Sequence, residues 1–321
     1  MMEFLPYREG DDLFEETAGP LKGRLHVDPE TGHGIFLPAP TEEALSEFYN
    51  GIYIRPYKSF DPERAFTPAV VEVATAVAAH MQKIAGLPPV FRTHDVGCAF
   101  GSLTYGFQQI GMNATGNEAN KQEVAQGNPY CQNGLSDKPL AVALAESGQP
   151  IDLVTALHVF EHFPDPVAAL KAVAEHLSPV GVVYICVPNG HSLQAMIGGR
   201  RKDPCYNFPG HLQYFTPKSI LALLKSAGLD PIQLDTRAIL HMEGGYKGAE
   251  ALLGLPAELM VNASAWSNAA LQNLLGYELW ALAALPSNTT AQRDPGIFER
   301  AETAHKAFLH RSPLERAGAT P

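Results

Sequence analysis

Cysteine is scarce in this chain. Four residues, Cys98, Cys131, Cys186 and Cys205, are spread over 321 positions. No two of them form a CxxC pair, which argues against a zinc knuckle or a redox dithiol. Free thiols in a reducing compartment are the expectation that remains. No apolar run is long enough to span a bilayer. Met1 to Asp12 is acidic and has no apolar core of the kind a secretory leader carries. A cytoplasmic protein without a membrane partner is therefore expected. Positive charge is also in short supply, with 23 Lys and Arg against 34 Asp and Glu and a net charge of -11. That balance argues against the broad basic face that nucleic acids require. Hydrophobic residues make up 45% of the chain, enough for a sizeable core. The length suits one large domain with additions, or two small ones.

The stretch that organises the rest is Phe91 to Ser102. It reads as a strand closed by the acidic Asp95, a turn bearing Gly97 and Gly101, and then a helix over about Leu103 to Ile110. The two glycines allow a tight turn and a close approach of backbone to ligand. The helix start points its amides at whatever sits there. This is the pattern of a first βα turn in a nucleotide-type α/β fold, where ligands lie beyond the carboxyl ends of the strands. It is not the dinucleotide fingerprint, which would need glycines at Ala99 and Ser102. A second strand, Asn113 to Asn117, ends at Glu118. Its position about twenty residues past the glycine turn suits a carboxylate accepting from ribose hydroxyls. A buried strand over Ile151 to Leu157 follows, then His158-Val159-Phe160-Glu161-His162-Phe163-Pro164-Asp165-Pro166. A helix capped by Asp165 comes next. Ser178-Pro179-Val180-Gly181 is then expected to turn into a strand over Val182 to Val187 that closes at Pro188-Asn189.

Asp95-Val96-Gly97-Cys98-Ala99-Phe100-Gly101 resembles motif I of the class I S-adenosylmethionine (SAM) methyltransferases, D-x-G-x-G-x-G, with Ala99 replacing the middle glycine. The run through E-H-x-x-D-P to V-P-N resembles the ubiquinone-biosynthesis-like group. So does H-x-x-x-F-T-x-x-x-I-x-x-L-L-x-x-A-G from His211 to Gly228. The resemblance covers about Val90 to Asn189 without a break in order. It implies an α/β, Rossmann-like sheet of seven mostly parallel strands flanked by helices, with an N-terminal module and a C-terminal helical insertion. It also implies SAM as cofactor, with S-adenosylhomocysteine (SAH) as product. Cofactor-binding candidates are Asp95, Gly97, Cys98, Ala99, Phe100, Gly101, Glu118, Ala119, Leu157 and His158, and Asp137 is a candidate for the adenine amino group.

In-line methyl transfer to an oxygen of high pKa gains from a general base, and histidine suits that work near neutrality. His211, His162 and His158 fall at the expected rim, with His211 foremost because it adjoins the Gly/Pro-rich stretch 189–209. Packing or cofactor-side roles stay open for the other two. Asn189, Tyr214, Tyr49 and Tyr53 are candidates for contacting the acceptor; packing onto the main domain is the competing reading for the tyrosines of the N-terminal module. Leu37 to Tyr53 resembles the segment preceding the catalytic domain in a group of bacterial small-molecule methyltransferases, some with zinc cysteines upstream. Met1 to Val90 has no cysteine, so no metal is expected. The division expected is a module or lid at 1–62, a SAM-binding domain at 63–286 with a helical insertion at 243–275, and a tail at 287–321 whose helix could serve a homodimer contact. The function implied is methylation of a small molecule such as a sugar, nucleotide-sugar or natural-product intermediate, or a quinone-like phenol. An NAD-dependent oxidoreductase and a non-catalytic protein retaining the fold are the alternatives.

Overall fold

The computed structural model describes residues 15–18, 21–47, 60–192, 195, 210–237, 274 and 276–311. Tyr49, Tyr53 and almost all of the expected insertion at 243–275 lie outside the described residues. The chain opens with strands β1 (Glu15–Ala18), β2 (Leu21–Val27) and β3 (Gly34–Leu37), then helices α1 (Glu42–Glu47), α2 (Pro62–Ala65) and α3 (Pro68–Ala85). Alternation follows: β4 (Arg92–Val96), α4 (Ser102–Gln109), β5 (Asn113–Asn117), α5 (Lys121–Gly127), β6 (Leu135–Ser136), α6 (Leu140–Glu146) and β7 (Ile151–Leu157). A 3-10 turn (Phe160–His162) leads to α7 (Pro166–His176) and β8 (Leu177–Pro188). The short β9 (Gln213–Tyr214), α8 (Pro217–Ser226), β10 (Asp230–Arg237), β11 (Glu278–Ala284) and α9 (Ile297–Arg311) are the remaining elements among the described residues.

Seven strands form one sheet in the order β10-β11-β8-β7-β4-β5-β6. The pairs from β8 to β6 are parallel, and β11 lies antiparallel between β8 and β10. Parallel sheets need cover on both faces, and the period-2 split of the strands provides for it. Val154, Ile185 and Ala281 point to a face covered by Leu170 of α7, Leu224 of α8 and Ala301 of α9. Leu153, Tyr184 and Leu282 point the other way, under Ala74 and Met81 of α3 and Phe107 of α4. No helix among the described residues is long and apolar enough to cross a membrane.

Two local expectations are corrected. Ser178 to Gly181 do not break the chain ahead of a strand; they lie inside β8. The register jumps there from Ile151↔Leu177 to Leu153↔Val182, so the turn-forming residues make a bulge. Asp152 holds it, accepting from Ser178 Oγ at 2.6 Å and from the Arg92 amide at 3.0 Å. The N-terminal stretch, expected only as a module or lid, forms an antiparallel sheet, β1-β2-β3-β9, whose last strand comes from far along the chain. Asp28-Pro29 and Thr31-Gly32 lie in the loop joining β2 to β3, closed by Gly32 N to Asp28 O at 2.7 Å.

The N-terminal sheet meets the main domain at the cap of α8. Thr216 is fully buried; its Oγ1 accepts from Ser219 N at 3.1 Å and donates to the Thr31 carbonyl at 2.6 Å. Thr216→Val keeps the shape and removes both bonds. A loss of about 1–3 kcal/mol is expected. A chemical-denaturation midpoint equal to wild type would contradict this account of the junction.

Candidate active site

Strand order reverses between β4 and β7, since β5 and β6 build away on one side and β8 on the other. The crevice outside the carboxyl ends of those two strands is where an open α/β sheet takes its ligand. On the β4 side the turn runs through Gly97 at φ 66° and Ala99 at φ 49°. A Cβ on Gly97 would stand 1.9 Å from Val159 Cγ2, so only glycine fits between the two strand ends. Ala99 holds a left-handed conformation without that freedom, a strain of about 1 kcal/mol or more. Glu118, at the end of β5, anchors the turn. Its Oε2 accepts from Ala99 N at 3.2 Å and its Oε1 from Asn120 N at 3.0 Å. The structure thus gathers Asp95, Gly97, Cys98, Ala99, Phe100, Gly101, Glu118 and Ala119 around one crevice. Asp137 is exposed just past the end of β6, on the same rim.

Asp95 is deeply buried and accepts from Thr155 Oγ1 of β7 at 2.6 Å. Burial pushes its carboxyl up to about 7; the Thr155 bond works against that and the charge of Glu118 adds to it. Burial and then the charge of Glu118 likewise push Glu123 up to about 7. Three carboxylates in a small volume leave the crevice short of positive charge.

On the β7 side, Leu157 is the last strand residue and His158 follows at φ 56°, again left-handed without glycine. Its Nδ1 is 3.5 Å from Glu161 Oε1 and its Nε2 is 3.4 Å from Glu278 Oε1. Cys186 Sγ lies 3.5 Å from the same Nε2. Hydrogen bonds to Cys186, Glu161 and Glu278 push His158 up to about 12. A ring held as an imidazolium has no lone pair to receive a proton, so this surrounding disfavours His158 as general base. The Glu161 side chain is 1% exposed. Burial alone would raise its pKa, but the bond from His158 and the charges of His162, His211 and His158 outweigh it and hold the carboxyl below the ordinary value. The His158 contact is long, and both Glu161 oxygens otherwise lack a hydrogen-bond partner.

His162 and His211 lie together, with ring centroids 5.1 Å apart at 71°. His162 Nδ1 meets the Gly210 carbonyl, an acceptor, so Nδ1 carries a proton. Two expected acceptor contacts are corrected. The Asn189 side chain is buried and donates to the carbonyls of Leu274 at 3.1 Å and Gly276 at 2.8 Å. Tyr214 is fully buried and its hydroxyl donates to the His211 carbonyl at 2.8 Å, so it shapes the His211 turn. Glu278 and Cys186 join the site without having been singled out in the sequence. Both come from strand interiors or edges with no local motif. Two donor sets, His158/Cys186/Glu278 and Glu161/His162/His211, each have ligand atoms within 4.8 Å of one another, close enough to share a cation. The expectation of no metal rested on missing cysteines and did not consider these.

The pH dependence of Asp95 has a definite sign. An unfolded Asp titrates near 3.8 and the folded one near 7. Between those values the folded state keeps a proton that the unfolded chain has released, so Asp95 weakens the fold as pH rises through that window. Relative to Asp95→Asn, cofactor-free wild type should gain thermal stability on going from about pH 8 to about pH 5. A difference in Tm that is flat across that range would refute the buried, proton-retaining carboxyl.

A family model described as a methyltransferase domain matches residues 71–234. The ubiquinone biosynthesis O-methyltransferase of Cereibacter sphaeroides is 27% identical over 206 residues, covering 60% of this chain and 83% of that protein. The protein of the same description from Bordetella avium is 28% identical over 188 residues, covering 55% and 74%. Among solved structures, magnesium protoporphyrin IX methyltransferase from Synechocystis with bound SAH aligns with a TM-score of 0.47 at 16% identity, over 76% of this chain and 100% of that one. A plantazolicin methyltransferase in complex with SAH aligns with a TM-score of 0.48 at 16% identity, over 75% and 93%.

Proposed function

The chain belongs to the methyltransferase domain family, and we propose that this SAM-dependent methyltransferase acts on a hydroxyl oxygen of a small molecule. The observation that carries the oxygen assignment is the Glu161–His162–His211 group. It stands beyond the carboxyl end of β7, across the strand-order reversal from the Gly97–Gly101 turn. Bound SAM supplies a methyl group already activated by its positive sulfur. What remains for this chain is to bind, align and deprotonate. The Gly97–Gly101 turn and the Glu118 carboxylate are assigned to the methionine portion and the ribose hydroxyls. Asp95, Glu118 and Glu123 complement the positive sulfonium and ammonium. The His162–His211 pair takes the acceptor's hydroxyl proton as the oxygen gains the methyl group, and Glu161 stabilises the resulting imidazolium.

The named activity of the sequence relatives, O-methylation in ubiquinone biosynthesis, favours a phenolic hydroxyl. Sugar, nucleotide-sugar and natural-product hydroxyls share the chemistry and are separated by experiment. Purified protein would be incubated with methyl-labelled SAM and catechol, a free hexose or a primary amine. Label should enter catechol and leave the amine unlabelled. His162→Ala should lower turnover about 10²–10⁴-fold. Glu118→Ala should weaken SAH binding by calorimetry about tenfold to hundredfold. Labelling of the amine alone would overturn the oxygen assignment. Absence of SAH binding in folded protein would overturn the cofactor assignment and favour the non-catalytic alternative.

A further inference from the structure

His33, just before β3, and Gln213, in β9, are both buried, at 3% and 1% exposure. The Gln213 amide donates to two carbonyls of the loop after Glu161–His162, Phe163 O at 3.1 Å and Pro164 O at 3.3 Å. Those two bonds fix the amide's orientation and leave Oε1 as acceptor. His33 Nε2 stands 2.9 Å from that oxygen and must therefore carry the ring proton. Nδ1 is then the acceptor facing Ser219 Oγ at 3.3 Å, within the cap of α8. Burial lowers the His33 pKa to about 4, against the opposing pull of Gln213 and Asp28. The ring is neutral at physiological pH, as that pattern requires.

The backbone repeats the connection. Ile35 of β3 pairs with Gln213 and Gly34 with Tyr214. Leu212 N donates to Glu161 O at 2.8 Å. One short segment, 210–214, is thus held on one edge by the N-terminal sheet and holds the Glu161–Pro164 loop on the other. His211 lies in that segment, and His162 lies in that loop.

We propose that His33 and Gln213 are positioning residues that set the Glu161–His162 turn against His211, making the N-terminal sheet part of the acceptor-side machinery. The proposal rests on the reading of that trio as acceptor-side chemistry, and its test is independent of the acceptor. Long-range proton–nitrogen NMR of the histidine rings would be recorded on SAH-bound protein. The variants are Gln213→Leu and His33→Phe, the latter retaining a ring against Phe215, which lies 5.1 Å from His33. His33→Gln serves as the conservative rescue. Met81→Ala, which opens a cavity under α3 on the far face, controls for a general loss of stability.

The expected result is a single Nδ1-protonated His162 in wild type and in Met81→Ala. Shifted or mixed-tautomer His162 and His211 signals are expected in Gln213→Leu and His33→Phe, with partial return in His33→Gln and unchanged SAH affinity throughout. Turnover of the catechol probe should fall about tenfold to hundredfold with the same ranking. Unmoved His162 and His211 signals in both primary variants would overturn the proposal, as would equal shifts in Met81→Ala. Shifted signals alongside full activity of His162→Ala would keep the strut and reject the catalytic reading on which its purpose rests.

Discussion

The reversal of strand order between β4 and β7 is the constraint on which the site depends. Two parallel neighbours whose onward connections run in opposite directions leave a gap that no crossover helix fills. Beneath that gap the two strands are joined by their backbone ladder and by a short hydrogen bond from Thr155 Oγ1 to Asp95 Oδ1 at 2.6 Å. Above it, both chains leave the sheet through left-handed residues, Gly97 and Ala99 on one side and His158 on the other. Such conformations persist in non-glycine residues only where the surroundings over-determine them. Here they do: Val159 presses on Gly97, Glu118 accepts from the Ala99 amide, and His158 N donates to Cys186 O at 2.8 Å. The crevice is shaped by the sheet before any ligand arrives.

The sheet alone does not fix the Glu161–His162–His211 group. The Glu161–Pro164 loop and the 210–214 segment are held by each other, by β3 and by the His33–Gln213 pair. On the other flank, Glu278 reaches His158 from β11, and its second oxygen accepts from Trp280 Nε1 at 3.0 Å. The Gly97–Glu118 half and the Glu161–His211 half therefore have different supports. The first follows from local sequence around β4 and β5. The second is assembled from four distant stretches, one of them in the N-terminal sheet.

That division also explains what the sequence made legible. β7 and the core of β8 are buried on both faces and read as apolar runs, and the helices that follow carry caps such as Asp165 and Thr216. Gly97, Gly101 and Glu118 were readable because their spacing follows one βα unit. The β1–β3 sheet was not, because β9, the strand that ties it to the domain, is two residues long and gives no periodic signal. Ser178 to Gly181 carry turn residues, and the same chemistry makes a bulge when Asp152 fastens it to the neighbouring strand. Tyr214 and Asn189 looked available because they are polar and near the rim. Their polar atoms are used by carbonyls of the backbone, and residue type cannot foretell such pairing. Glu278 had no marker at all, since only the antiparallel placement of β11 beside β8 brings it to His158.

The distribution of charge completes the argument. A chain of net charge -11 could scatter its carboxylates over the surface, where water screens them. Instead Asp95 and Glu123 are raised by burial and by the charge of Glu118, which repels the ionised form of each. A cationic ligand relieves that repulsion, and one without positive charge does not. Selectivity for a sulfonium over its neutral thioether product can therefore arise from the field of these carboxylates as well as from contacts to the methyl group. The opposite rim is arranged differently: His158 sits between Glu161 and Glu278, so its positive charge is already matched.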